Sequence, residues 1–244
     1  MGLVLREVKV GEADKILTIL TPDHGLVSAS AKGSLRLKNR LFSGCGLFAY
    51  SEFTLTQGRS TWFVNEALPQ QVFHGLSGSI EGMALAMYLA ELVCTIPPAA
   101  GEAGGQLRLL LNSLYLISEK QKPLAQVKAV FELRFLTLGG YMPDLVCCKG
   151  CARYDGGDFY LDVADGTLLC RDCAAKVGRP VNLDGGALVA LRHICLAEDK
   201  KVFAFSLAPA SLGLLSRVAE RYALNHAERP LRTLDFLHSV LDTT

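Results

Sequence analysis

No apolar run in the 244 residues reaches membrane-spanning length, so a soluble chain is expected. Charge arrives at Arg6 and Glu7, too early for a secretory signal peptide. The glycine-rich segment Gly101-Glu102-Ala103-Gly104-Gly105 is not followed by Gly-Lys-Ser/Thr, which excludes a phosphate loop. There is no internal repeat, low-complexity tract or long linker. Net charge is only +1, so attraction to a polyanion has to come from a local patch. What remains is an ordinary globular balance, half apolar and one fifth charged, long enough for one large domain or two modest ones.

The cysteines are the most specific signal. Cys148/Cys151 and Cys170/Cys173 form two Cys-x2-Cys pairs with 18 residues between them, the pattern of a four-thiolate Zn²⁺ site. Between the pairs, Asp158–Val163 and Thr167–Leu169 flank Asp165-Gly166, a hairpin signal that would bring Cys170 back beside Cys148. A small zinc ribbon over 145–176 is expected, with Cys147 a second candidate for the first ligand. Four thiolates leave no open position for a water nucleophile, so the site is structural in expectation and not catalytic. Asp144, Asp155, Asp158 and Asp162 crowd the same region, but turns and strand ends account for them, and no enzymatic activity is expected. Cys45, Cys94 and Cys195 sit among apolar neighbours as free thiols, which with the zinc pattern indicates a reducing cytoplasm.

Acidic residues are missing altogether between Asp23 and Glu52. In that gap lie Lys32, Arg36, Lys38 and Arg40, a cationic loop suited to a phosphate backbone. Phe42, Phe48, Tyr50, Phe53, Trp62 and Phe63 could stack on bases, although most are expected in a core.

Strand character appears at 3–10, 15–21, 26–31, 48–56 and 60–64, punctuated by Pro22-Asp23-His24-Gly25 and Gln57-Gly58-Arg59. Five short strands predict a small closed barrel of the OB-fold kind, an SH3-like barrel being the alternative. From about Ile80 the periodicity turns helical, with segments at 83–94, 107–117, 127–138, 188–196, 211–225 and 231–241. The expected organisation is α+β: a barrel at 1–78, then a helical domain at 79–244 interrupted by the ribbon.

This order of parts resembles the bacterial RecO recombination-mediator family over nearly the whole chain. The residues that carry the resemblance are Ala31-Lys32-Gly33 after the third strand, Tyr88-Leu89-Ala90-Glu91-Leu92, and Phe131-Glu132-Leu133-Arg134 leading through Gly139 and Pro143 to Cys148-x2-Cys151. The doubled Cys147-Cys148 departs from that pattern. The resemblance implies an amino-terminal OB-fold, binding of single- and double-stranded DNA, strand annealing, and help in loading recombinase. The partners it implies are RecR, the acidic apolar C-terminal tail of single-stranded DNA-binding protein, and RecF as a third candidate. It points to Arg134 as a cation for the tail's carboxylate; pairing with Glu132 or capping of helix carbonyls are the alternatives for that side chain.

Overall fold

The computed structural model describes residues 1–59 and 61–242. Alternating apolar positions in the first seventy residues fold into β1 (Gly2–Val10), β2 (Asp14–Thr21), β3 (Gly25–Ala31), β4 (Tyr50–Gln57) and β5 (Trp62–Gln71). They close in the order β1-β2-β3-β5-β4, an OB-like barrel. Antiparallel pairing of Gly2 with Ser51 and Leu3 with Tyr50 seals one seam; a short parallel pairing of Ala29 with Trp62 seals the other. Gly25 ends the β2–β3 turn at φ +61, a conformation glycine adopts without steric strain. Thr21 Oγ1 accepts from the His24 N–H at 3.1 Å and donates to the Gly25 carbonyl, fixing that turn. The barrel is filled by Val4, Leu17, Ile19, Ala29, Ala31, Val64 and Ala67.

Helices follow the barrel: α1 (Ile80–Thr95), α2 (Gly104–Ser118), α3 (Leu124–Leu138), the short α4 (Arg171–Lys176), α5 (Gly185–Leu196), α6 (Pro209–Ala227) and α7 (Arg232–Leu241). Local chemistry sets their ends. The Ser79 side chain accepts from the Gly82 N–H at the start of α1, Asp184 does the same for Ala187 in α5, and Pro209 opens α6 where no N–H is needed. Between α3 and α5 lies a three-stranded sheet of β6 (Asp144–Cys148), β7 (Phe159–Asp162) and β8 (Thr167–Cys170), in the order β6-β8-β7, with α4 following directly on β8. The β7–β8 hairpin is legible in the sequence; β6, which joins β8 in parallel, and α4 are not.

The chain divides into two compact units. One comprises Met1–Glu119 together with the segment that begins at Leu231; the other is Lys120–Pro230. In the first, α7 packs on α1, and the Glu91 carboxylate of α1 accepts from the Thr233 N–H at 2.8 Å and from its hydroxyl, capping α7. In the second, α3 packs on α6 and α5, and the ribbon's outer strand is closed by a side chain. The Asn182 carboxamide accepts from the Leu161 N–H at 2.9 Å and donates to the Leu161 carbonyl at 3.0 Å, standing in for a neighbouring strand on β7.

Candidate nucleic-acid interface and metal centre

The segment from Lys32 to Ala49, between β3 and β4, is a run of turns pinned at both ends. Gly33 stands at φ +70, where an added Cβ would meet the Asn39 amide at 2.6 Å. Its N–H donates to Asp14 Oδ1 at 2.7 Å, and the Leu35 N–H donates to the Ala13 carbonyl at 2.9 Å. Ser34 is buried and bonds the Ala31 carbonyl at 2.8 Å; Asn39 Oδ1 accepts from the Leu41 N–H at 2.9 Å. Leu41 and Cys45 then plug the barrel core. Held this way, Lys32, Arg36, Lys38 and Arg40 are all exposed.

The gap in acidic residues along the sequence is not a gap in space. Arg40 meets Glu66 of β5 at 3.1 Å and donates to the Asn65 carbonyl at 3.0 Å. The Lys32 ammonium lies 5.6 Å from the centroid of the Phe63 ring. Arg36 and Lys38 meet no carboxylate among the described residues. Of the aromatics, Phe48 is buried, Phe53 and Trp62 pack against the core, Tyr50 and Phe63 are half-buried, and Phe42 on the loop is exposed.

The sulfur atoms of Cys148, Cys151, Cys170 and Cys173 all lie within 4.8 Å of one another; Cys147 is outside the group. A tetrahedral ion bonded to sulfur at ~2.3 Å requires sulfurs about 3.8 Å apart, and the Cys151–Cys170 pair is at 3.6 Å, so this donor set fits a metal. The first pair is shaped by its turn. The Cys148 N–H donates to the Arg153 carbonyl and the Ala152 N–H to the Cys148 carbonyl, both at 2.8 Å. A Cβ on Gly150 would come within 2.9 Å of Cys173 Sγ, so the position takes glycine for want of room. Burial works to raise the Cys148 thiol, but N–H groups of Cys170, Gly150 and Cys151 point at it and hold it down at about 6. Hydrogen bonds with the Cys151 and Cys170 thiols, with burial, push Cys173 up to about 12. Four thiols in contact cannot all ionise unless a cation sits among them.

Arg134, on α3, is spent inside its own unit. It donates to the Cys195 carbonyl at 2.7 Å and the Ile194 carbonyl at 3.4 Å, capping α5, and pairs with Asp199 at 2.8 Å. Capping is one of the readings the sequence leaves open; pairing with Glu132 does not occur, because Glu132 meets Lys128 at 2.8 Å. Arg192 likewise acts as a strut: it donates to the Leu145, Val146 and Tyr154 carbonyls and stacks on the Tyr154 ring at 4.1 Å. Asp144 and Asp162 accept from the N–H groups of Val146 and Ala164, and Asp158 pairs with Arg171, all turn and strand-end roles. The chain's His226-Ala227-Glu228 has the His-x-Glu spacing of zinc deaminases, yet His226 packs on Tyr222 and Tyr141 and stands outside the cysteine group.

Residues 1–73 match the family model described as Recombination protein O N terminal, and residues 77–235 match Recombination protein O C terminal. The chain is 31% identical over 239 residues to the DNA repair protein RecO of Acetivibrio thermocellus, covering 98% of this chain and 95% of that protein. It is 29% identical to the protein of the same name from Alkaliphilus metalliredigens, covering 93% of each, and 33% identical to that of Desulfitobacterium hafniense, covering 82% of this chain and 74% of that protein. With a barrel in the first matched segment and helices around a cysteine cluster in the second, the chain belongs to the RecO family of DNA recombination and repair proteins.

Proposed function

We propose that this protein is a recombination mediator that binds single- and double-stranded DNA through the β3–β4 loop, anneals complementary strands, and works with RecR to load recombinase. The observation that carries the reading is the pinned loop on which Arg36 and Lys38 stand exposed with no carboxylate partner among the described residues. Lys32 and Arg40 complete the set, Arg40 presented by its pair with Glu66. Cations held this way neutralise phosphates on two strands and lower their repulsion, which is what annealing requires. No covalent chemistry is asked of any side chain.

Cys148, Cys151, Cys170 and Cys173 would hold one Zn²⁺, whose part is to close the ribbon and whose binding energy is folding energy. The acidic tail of single-stranded DNA-binding protein is a second partner of the helical unit, and RecF a third candidate. For Arg134 to receive the tail's carboxylate, the tail has to displace Asp199. The protein works in the cytoplasm, on the nucleoid; among the described residues no helix is long and apolar enough to cross a membrane.

A second reading, a zinc-ribbon protein scaffold with incidental nucleic-acid (including RNA) binding, is favoured by one observation. Val146, Tyr154, Val189 and Leu196 are exposed apolar side chains on the ribbon and α5, the helix that carries Arg192. Fluorescence anisotropy of labelled single-stranded DNA across a salt series separates the two. The mediator reading expects steep salt dependence in wild type. Changing Lys32, Arg36, Lys38 and Arg40 to Glu should flatten the log–log slope by about 0.7 for each phosphate that is no longer neutralised. Binding unchanged in that variant moves the DNA site to the helical domain; absence of binding in both proteins leaves the scaffold.

A further inference from the structure

Leu37 is 81% exposed, more than any other large apolar side chain among the described residues. It stands between Arg36 and Lys38 on the pinned loop. Burial marks where the loop is anchored: Ser34 on one side and Leu41 on the other are inside, Leu35 and Asn39 are half-buried, and Arg36, Leu37, Lys38 and Arg40 stand out. The Arg36 N–H is tied to the Gly33 carbonyl at 3.0 Å and the Asn39 N–H to the Arg36 carbonyl at 2.9 Å, so the projection is a built turn. Phe42, at 40% exposure, is a second apolar side chain on the same loop.

A leucine this exposed and outside the core cluster adds little to the barrel's stability. Its neighbours say what it meets. If Arg36 and Lys38 lie against phosphates, the side chain between them is carried to the level of the bases. There an aliphatic wedge gains by entering between two bases, partly unstacking them and burying its own surface.

Resting on the DNA reading above, we infer that Leu37 is a wedge that inserts between neighbouring bases, so that the loop unstacks the strand it holds. Single-stranded DNA and the frayed ends of a duplex are its substrates, since they have the least stacking to lose. Unstacked bases have their pairing edges free, which joins the wedge to annealing: phosphate neutralisation brings strands together, and unstacking presents the bases for pairing.

The experiment uses the full chain with zinc bound and oligonucleotides carrying 2-aminopurine, whose fluorescence rises when it leaves the stack, with anisotropy measured on the same samples. Wild type is expected to raise the 2-aminopurine signal on binding. Leu37→Ser should lose that rise, weaken binding by about fivefold and keep the wild-type salt slope, because every phosphate keeps its cation. Leu37→Met, of similar volume, should restore the rise. A Leu37→Ser protein with the wild-type 2-aminopurine signal overturns the wedge while leaving DNA binding intact. Binding that survives reversal of Arg36 and Lys38 to Glu moves the DNA site elsewhere, and absence of binding by wild type removes the DNA reading; either outcome overturns the wedge as well. Leu37 is 81% exposed and outside the barrel core, so its variants should melt as wild type does.

Discussion

Lys128 and Glu132 stand one helical turn apart on α3 and meet at 2.8 Å, both buried; Glu220 of α6 completes the group, also 2.8 Å from the ammonium. Burial disfavours the charged lysine, but the two carboxylates outweigh it and raise its pKa above the ordinary 10.5. Lys128→Met would take the cation away from the buried Glu132 carboxylate and the half-buried Glu220, destabilising by roughly 3–5 kcal/mol in urea unfolding. The pH dependence follows from the sign of the shift. Because the folded pKa lies above the unfolded one, the group's contribution is complete below about pH 10. It is lost as pH rises through the folded value, and an alkaline unfolding series on wild type should show that loss where Lys128→Met does not.

Loss of metal and loss of thermal stability should coincide in the ribbon. Cys151→Ser and Cys173→Ser are each expected to bind less than one zinc per chain by elemental analysis and to melt several degrees below wild type. Cys147→Ser, outside the sulfur cluster, should keep both. A Cys173→Ser protein that melts like wild type would remove the structural role.

Arg134 and Asp199 offer a test of the tail site. If an acidic apolar C-terminal peptide uses Arg134, the internal carboxylate competes with it. Asp199→Ala should then tighten peptide binding by several-fold in calorimetry, and Arg134→Ala should abolish it. Arg134→Ala should also lower stability by about 2–4 kcal/mol, because the Cys195 and Ile194 carbonyls lose their cap. Unchanged affinity in Asp199→Ala would assign the guanidinium to capping alone.

Cys45 should be a silent thiol. Burial pushes its pKa up to about 11, the charge of Lys15 opposing and that of Glu7 adding to it. Cys195 is raised as well, first by burial. With zinc protecting its four ligands, a disulfide reagent at neutral pH should modify Cys147 well before Cys45 or Cys195, which become reactive on unfolding.

Local chemistry explains what can be read from the residues alone. Turn residues and short alternating runs mark all five barrel strands, and the paired cysteine spacing marks the ribbon. Strand character in the sequence stops at Val64, with Pro69 ahead, yet β5 continues to Gln71. Among the described residues β3 pairs with β5 at Trp62 and Phe63, so farther along that edge no ladder needs the missing N–H. Partners distant in sequence stay hidden: nothing near Arg40 announces Glu66, and nothing near Arg134 announces Asp199, 65 positions on. The charged pair inside Phe131-Glu132-Leu133-Arg134 also looks different in three dimensions, since both side chains turn inward to hold α3 against its neighbours.

The tie between Glu91 and Thr233 has a consequence for synthesis. The first unit is discontinuous, its last helix made only after all of Lys120–Pro230 has been synthesised. Until then the face of α1 that α7 covers is bare, and the nascent chain has to carry it while the second unit folds. A chain stopped at Pro230 would present that apolar face permanently, making it a natural substrate for chaperones and proteases.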